Sequence, residues 1–556
     1  MIEAMVVPVC DLPAHIRDWI MKDMEKGVVK KRWRGRLPVA LVFPNTYYLG
    51  MSNLGFRLVY HFFNRFDEIV CERFFLSTEG DDPLRSVESN RPLTDFEVIL
   101  FSISFEPDFV NVVRILQQAG LEPWREKRRG APLILAGGIA TWLNPDPLSP
   151  FVDACLIGEI EALGEPLVEA LLGEKPLEEV PGYLPMDYLL EFDQEGLLKE
   201  IGRPPVHRVI VKELEEPPFS DLLSPRTEFA ETFLLEVGRG CGRGCRFCAA
   251  GILYRPPRPW SPEVLLKAVS RIPPGSKVGL IGLEFADEST IETLAEALLA
   301  KDCQLTFSSL RADRLTPSFV RLLARQRTAT IAPEAGTERL RCVINKGLTE
   351  EDVKRAARLL AETGVRVLKL YFMVGLPTET EEDLEGLVRL VKKVRHVLDQ
   401  VTRPRGYVVD LRLSVASFVP KPHTPFQWAP FLGVEPLKKR LSWLKKKIGK
   451  IPNTRFTADL PKWAYLQALL ARGDRRLAPL LLALAQGKGL RQALVTLSLN
   501  PDFLTLRARG KNERFPWEVV DLGVQREFLW QEWEAALAGR STPGCLLGRC
   551  KRCGAC

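Results

Sequence analysis

One short segment, VGRGCGRGCRFCAAG, constrains this chain more than any other, because it sets Cys241, Cys245 and Cys248 in a glycine-rich loop directly after an apolar strand. A two-residue gap spans at most about 10 Å and a three-residue gap about 14 Å, so the three thiolates can wrap one compact inorganic cluster. Gly240, Gly242 and Gly244 permit tight backbone geometry and let amide N–H groups approach the sulfurs. A cuboidal 4Fe–4S cluster held by three cysteines leaves one iron open to a substrate or cofactor. Structural zinc is the rival, but it wants four closed ligands. No fourth Cys or His lies nearby, and the closest histidine in sequence is His207.

The pattern around the loop is α/β. Apolar runs at 233–240, 277–285, 304–310, 328–334, 365–375 and 409–419 are separated by helical stretches such as TEEDVKRAARLLAETG, which suits a partial or complete α/β barrel over 229–430. Upstream, runs at 38–44, 96–104, 131–138 and 152–158 alternate in the same way and predict a doubly wound, Rossmann-like parallel sheet over 37–180. Residues 1–36 hold a basic helix candidate with Lys22, Lys26, Lys30, Lys31, Arg32, Arg34 and Arg36. Residues 181–228, rich in proline and poor in periodicity, read as a linker. Beyond Pro430 strands largely disappear; 431–540 reads as helical, with amphipathic stretches at 435–448 and 461–486, and 541–556 as a cysteine-rich tail. A length of 556 residues requires several domains.

Of twelve cysteines, seven fall in two tight clusters, which points to metal in a reducing compartment rather than to secreted disulfides. No apolar run is long enough to span a membrane, and the first residues lack the apolar core of a signal peptide. A cytoplasmic location is expected.

Cys-x-x-x-Cys-x-x-Cys after a first barrel strand resembles the hallmark of the radical S-adenosylmethionine (SAM) superfamily. The resemblance implies a 4Fe–4S cluster on Cys241, Cys245 and Cys248 whose open iron chelates SAM and whose electron cleaves it to a 5′-deoxyadenosyl radical. It also implies a one-electron reductant such as flavodoxin or ferredoxin. GLIGLEF (279–285) resembles the second-strand motif that contacts SAM, nominating Gly282 and Glu284, although the commoner Gly-Gly-Glu form is absent. SSLRADRL (308–315) is similar to the fourth-strand segment and nominates Ser309 and Arg311. IAPEAGTERLRCVINKG (331–347) and YFMVGLPTET (371–380) resemble the fifth- and sixth-strand segments. From these, Glu334, Arg339 and Tyr371 are the candidates for handling protons or orienting substrate.

The N-terminal sheet resembles the cobalamin-binding domains fused to such barrels. Asn53 and Gly55 in MSNLG, Ser102 and Ser104 in the Ser-x-Ser, and the Gly137-Gly138 pair sit at strand ends, where a doubly wound sheet binds its ligand. The usual Asp-x-His-x-x-Gly, whose histidine ligates cobalt, is missing. His61, in an amphipathic helix just downstream, reads better as a packed or surface histidine.

Cys545, Cys550, Cys553 and Cys556 have gaps of four, two and two, which suits a second 4Fe–4S cluster, with zinc as the rival. Basic stretches at 22–36, 125–129, 438–447 and 471–477, with Trp33, Trp443 and Trp463 interleaved, suggest an RNA or ribosomal partner, against the plainer reading of solvated helix faces. The expected function is SAM-dependent radical functionalisation of an unreactive carbon, by cobalamin-dependent methylation in the first instance. A cobalamin-free radical enzyme, such as a methylthiotransferase, is the alternative. From another class, a ribonucleoprotein-binding module with structural metal is the third.

Overall fold

The computed structural model describes residues 25–76, 84–130, 132–282, 288–307, 310–321, 326–546 and 550–556. Six strands, β1 (Leu37–Thr46), β2 (Ile69–Leu76), β3 (Val98–Ser102), β4 (Leu133–Gly137), β5 (Ala154–Leu156) and β6 (Tyr183–Pro185), form one sheet in the order β2-β1-β3-β4-β5-β6. All neighbours are parallel except the edge pair β5–β6. Alternate strand residues supply two cores, because successive side chains point to opposite faces. Val39, Leu41, Leu100 and Leu135 pack under the helices Leu54–Asn64 and Ile160–Leu171. Ala40, Val42, Ile99 and Ala136 pack under Phe109–Gln118. The order reverses between β1 and β3, and ligands of such sheets bind at that switch point, beyond the carboxyl ends of the strands.

Sequence reading missed β2. Its run, IVCERFFL, carries Glu72 and Arg73, both buried. The Arg73 guanidinium is met by Glu25 at 2.8 Å and Glu88 at 2.6 Å, so the charge is paired where hydropathy alone argued against a core strand.

The expected linker, 181–228, is woven into both domains. It supplies β6, a hairpin of β7 (Leu190–Phe192) and β8 (Leu198–Ile201), then β9 (Val206–His207) and β10 (Phe219–Ser220). The prolines interrupt periodicity without preventing these short pairings. Residues 25–36 form no helix: Lys26 bridges to Leu223, and Trp33 packs edge-on against Phe96 while its indole N–H donates to Glu72. Lys22 lies outside the described residues.

The second sheet system begins with β11 (Thr232–Glu236), flanked by antiparallel β10. Next come β12 (Gly238–Arg239) and β13 (Arg258–Pro259), a short antiparallel pair that closes the base of the cysteine loop. Strands β14 (Lys277–Ile281) and β15 (Gln304–Phe307) continue in parallel from β11. A second parallel group holds β16 (Thr328–Glu334), β17 (Val367–Val374), β18 (Asp410–Ser417) and β19 (Thr454–Ala458). A parallel bridge between Leu310 and Ile331 joins the groups into an open, partial barrel. The helix Glu350–Glu362 starts at a Thr349/Asp352 capping box, as its TEED start predicts.

Strand β19 lies in the region expected to be largely helical. Its sequence, TRFTA, carries one large apolar residue and most of it is exposed at the sheet edge, so periodicity gave no signal. The helical stretch at 461–486 is two helices, Pro461–Arg472 and Ala478–Ala485, broken at Gly473-Asp474. This break straps the domains together. Asn144 donates to the carbonyls of Ala471 (3.1 Å) and Gly473 (2.7 Å), and Arg475 pairs with buried Asp146 at 2.7 Å. Strand β20 (Val520–Asp521) pairs with β9. Among the described residues, no helix is long and apolar enough to cross a membrane.

Candidate functional site

The three cysteines lie on the loop between β12 and β13, each partly exposed. Gly240 begins it at φ +92°, where an added Cβ would meet the Tyr254 carbonyl oxygen at 2.5 Å; Gly244 turns it again at φ +77°. Only glycine adopts such angles without strain. The Gly251 N–H donates to Cys248 Sγ at 3.4 Å. Burial pushes the metal-free Cys248 thiol up to about 11, and the neighbouring Cys245 adds to the shift. A metal ion would displace that proton, since thiolate is the ligand form. Between the cysteines, Arg246 points the other way and is fully buried. It donates to Glu532 (3.0 Å) and to the carbonyls of Cys342, Val343 and Arg540 at 2.8 to 3.0 Å.

The strands beside the loop alternate cleanly. In β17, Leu368, Leu370, Phe372 and Val374 are buried, whereas Tyr371 between them is 40% exposed and faces the open side of the sheet. Glu334 ends β16 in the left-handed region, φ +66°, a conformation that costs a non-glycine residue energy and concentrates at functional sites. Lys346 Nζ stands 3.2 Å from its carboxylate and 5.8 Å from the Phe247 ring centroid. Burial lifts the Glu334 carboxyl above its ordinary range and the Lys346 charge opposes the lift. Both charges act on Cys248. Lys346 was not found from sequence; its place in CVINKG, beyond the strand, gave no periodic signal. Arg311 supports that segment by donating to the Lys346 carbonyl at 3.1 Å while pairing with Asp313.

Arg339 does not join this group. Half-exposed, it binds Thr378 and Asp383 at the start of the helix Glu381–Thr402, tying its own short helix, Glu338–Val343, to that end. Gly282 lies at the cavity described next. Glu284 and Ser309 lie outside the described residues.

A cavity of about 620 Å³ opens between the two domains, at the carboxyl ends of β3 and β4. Asn53, Gly55, Ser102, Ser104, Gly137 and Gly138 all line its N-terminal wall. Asn53 caps its helix by accepting from the Phe56 N–H at 3.0 Å and donates to Ser104 Oγ at 3.0 Å. Gly138, at φ +102°, presses on the Ile103 carbonyl, where a Cβ would approach to 2.5 Å; at Gly137 the nearest atoms stand 3.8 Å away, leaving room. His61 is not in this wall: its Nε2 faces Asp221 at 3.4 Å.

The opposite wall belongs to the barrel and includes Glu236, Gly240, Tyr254 and Gly282. Arg239 ties the walls together, reaching Glu236 (2.8 Å), Glu161 (2.9 Å) and Glu159 (3.1 Å), while Arg258 meets Glu159 at 2.6 Å. Burial raises the Glu236 carboxyl despite Arg239. Burial acts the same way on Glu159, but the Arg258 hydrogen bonds and the Arg239 charge hold it below its usual range. This cluster was also missed, because its members come from strands and loops far apart in the chain.

At the far side of the cysteine loop lies the C-terminal tail. The Cys545 N–H donates to the Gly242 carbonyl at 2.6 Å, the Thr542 N–H to Asn345 Oδ1 at 3.0 Å, and Asn345 Nδ2 to the Gly244 carbonyl at 3.2 Å. Cys245, Cys545, Cys550 and Cys553 border one small gap. Among the described residues, no three His, Cys, Asp or Glu side chains converge into a ready-made metal cage.

Family models match in the same two places: the one described as "Radical SAM superfamily" covers residues 235–391, and "Radical SAM proteins, N-terminal" covers 55–178. The chain belongs to the radical SAM superfamily and is a radical SAM enzyme that joins this barrel to a doubly wound N-terminal domain. It is 31% identical over 446 residues to an uncharacterized protein of Methanocaldococcus jannaschii, MJ0966, covering 79% of this chain and 89% of that one. An uncharacterized methyltransferase of Pyrococcus horikoshii, PH0819, is 23% identical over 318 residues, 54% of this chain and 66% of that one. Among solved structures, the radical SAM methyltransferase TsrM from Kitasatospora setae, with cobalamin and a 4Fe–4S cluster bound, aligns with a TM-score of 0.46 at 14% identity, covering 68% of this chain and 72% of that one.

Proposed function

We propose that this protein methylates an unreactive carbon, with Cys241, Cys245 and Cys248 holding the 4Fe–4S cluster that binds SAM and with cobalamin in the interdomain cavity. The observation that carries this reading is the single cavity with one wall from each domain. A group cradled by the sheet would face a group held at the cysteine loop. The N-terminal wall suits a corrin and its tail: its small residues allow close approach, and Ser102, Ser104 and Asn53 offer polar atoms to amide side chains. Among the described residues no histidine lines it, so this chain would hold cobalt without a protein imidazole. Once bound, the cluster with SAM supplies a radical able to abstract hydrogen, and cobalamin supplies a transferable methyl group.

The protein's own residues do the remaining work. Arg239, Glu159, Glu161 and Arg258 lock the two walls at a fixed spacing. Glu334, lifted by burial and answered by Lys346, would hold a proton beside Cys248. Tyr371 offers a hydroxyl on the open face of β17. Gly282 and Arg311 would contact SAM in this reading, and Glu284 and Ser309, outside the described residues, are assigned to it by sequence alone.

The substrate class it favours is RNA or a ribosomal component. Support comes from the helix Val434–Ile448, whose Lys438 and Lys445 border an open groove of about 270 Å³ beside β19, and from half-exposed Trp463 nearby in sequence. Trp33 and the 471–477 stretch do not contribute, since Trp33 is packed and Arg475 and Arg476 are paired with Asp146 and Asp474.

The test is anaerobic reconstitution with hydroxocobalamin, comparing wild type with a Cys241/Cys245/Cys248→Ala variant by metal analysis and visible spectrum. Retained corrin absorbance, together with SAM cleavage that the variant loses, is the expected result. Cleavage without corrin would replace methylation by a cobalamin-free modification such as methylthiolation. Equal SAM cleavage by both proteins would overturn the reading.

A further inference from the structure

The four tail cysteines have no part in the reaction just described, yet the fold places them against the loop that carries it. The Cys545 amide is bonded to the carbonyl of Gly242, the residue after Cys241. Standard backbone dimensions then bound the Cys241–Cys545 Cα separation to about 10 Å. Cys245 shares a gap with Cys545, Cys550 and Cys553. Two further ties hold this arrangement: Asn345 bridges Thr542 to Gly244, and Arg246 bonds the Arg540 carbonyl and Glu532, which in turn accepts from Thr542 and Arg552. At its inner end the tail is buried, Cys553 being 3% exposed, whereas Cys556 is exposed. Thiols therefore run from the surface to the triad loop. Arg255 borders the gap and Arg552 the outer cysteines, and both place positive charge where anionic thiolates would gather.

We propose that Cys545, Cys550, Cys553 and Cys556 bind a second iron–sulfur cluster that relays single electrons to the triad cluster. This rests on the triad being the SAM-cleaving centre. The gaps of four, two and two let the tail fold around one cluster, whereas a zinc ribbon separates two cysteine pairs by a longer loop. The transfer balances simply. A protein donor of the flavodoxin or ferredoxin class loses one electron, the tail cluster gains and then loses it, and the triad cluster ends reduced by one. No bond or proton changes hands. Nearby positive charge favours the reduced state of the outer cluster, and its exposed edge gives the donor access.

The experiment uses the full chain, reconstituted anaerobically, as wild type, a Cys550/Cys553/Cys556→Ser variant and the triad→Ala variant. Wild type is expected to hold about eight irons per chain and each variant about four. Reduced wild type should show a spin-coupled pair by electron paramagnetic resonance, and each variant an uncoupled signal. The tail variant should lose most SAM cleavage driven by reduced flavodoxin but keep cleavage driven by dithionite with methyl viologen, which also shows that it is folded. Zinc in the tail, iron unchanged in the tail variant, or undiminished flavodoxin-driven cleavage would each overturn the relay and leave the triad's function standing. Failure of the triad variant to lose SAM cleavage would instead strike the function itself.

Discussion

The triad loop and the tail are both short cysteine segments, but they reach their positions by different physics. The loop is specified locally: it leaves β11, turns at Gly240 and Gly244 where side chains are excluded, and returns through the β12–β13 pair. The tail has no regular secondary structure among its described residues and is placed by contacts from remote parts of the chain. Arg246 belongs to both, since it sits inside the Cys-x-x-x-Cys-x-x-Cys motif and anchors the tail. A motif residue can thus serve the neighbouring site rather than its own cluster.

The sharpest way to break this comparison is Arg246→Ala. It takes one of two guanidinium partners from buried Glu532, Arg552 being the other, and leaves the carbonyls of Cys342, Val343 and Arg540 without that donor, so a loss of about 3–5 kcal/mol is expected in chemical denaturation. Both cysteine segments should loosen together. If only the tail loosened, the loop would be more self-sufficient than its contacts indicate.

Asn345→Ala is a smaller perturbation that separates the two. It removes the bridge between Thr542 and Gly244, at a cost of about 1–3 kcal/mol. Hydrogen exchange should rise across 541–556 while the β12–β13 amides stay protected. Equal rises in both segments would contradict the local origin of the loop.

A third difference is chemical. In the metal-free protein, burial raises Cys248 to about 11, whereas backbone hydrogen bonds lower Cys550 despite its slight burial. Thiolate is the reactive form, so a lowered group reacts at lower pH and a raised one only at higher pH. Stepwise alkylation followed by mass spectrometry should modify Cys550 before Cys248 as pH rises. The reverse order would show that the triad is more open than the tail.

The mildest change contrasts adjacent glycines in the cavity wall. Gly138→Ala forces a left-handed alanine against Ile103 and should cost about 1–3 kcal/mol. Gly137→Ala meets nothing closer than 3.8 Å, so it should leave the melting temperature nearly unchanged while weakening corrin retention.

Much of this protein was legible in the sequence because its signals are local. Apolar runs gave the β1, β3, β4 and β5 strands and six of the parallel barrel strands, and small residues at strand ends marked the cavity wall. Cysteine spacing nominated both cysteine segments as candidate metal sites. What stayed hidden depends on pairing across distance. Strand β2 is buried because Arg73 finds Glu25 and Glu88. Lys346 meets Glu334 only when the segment after β16 folds back. Arg339, nominated with Glu334 by the resemblance of the 331–347 segment, pairs instead with Asp383. The cavity needs two domains fixed face to face by Arg239 and Arg258, and the tail meets the triad loop through the Cys545–Gly242 bond and through Asn345, Arg246 and Glu532. Backbone propensity and hydrophobic period act over a few residues and can be read in order along the chain. Where a buried charge finds its partner is decided only when distant segments are brought together, because burying it alone costs too much.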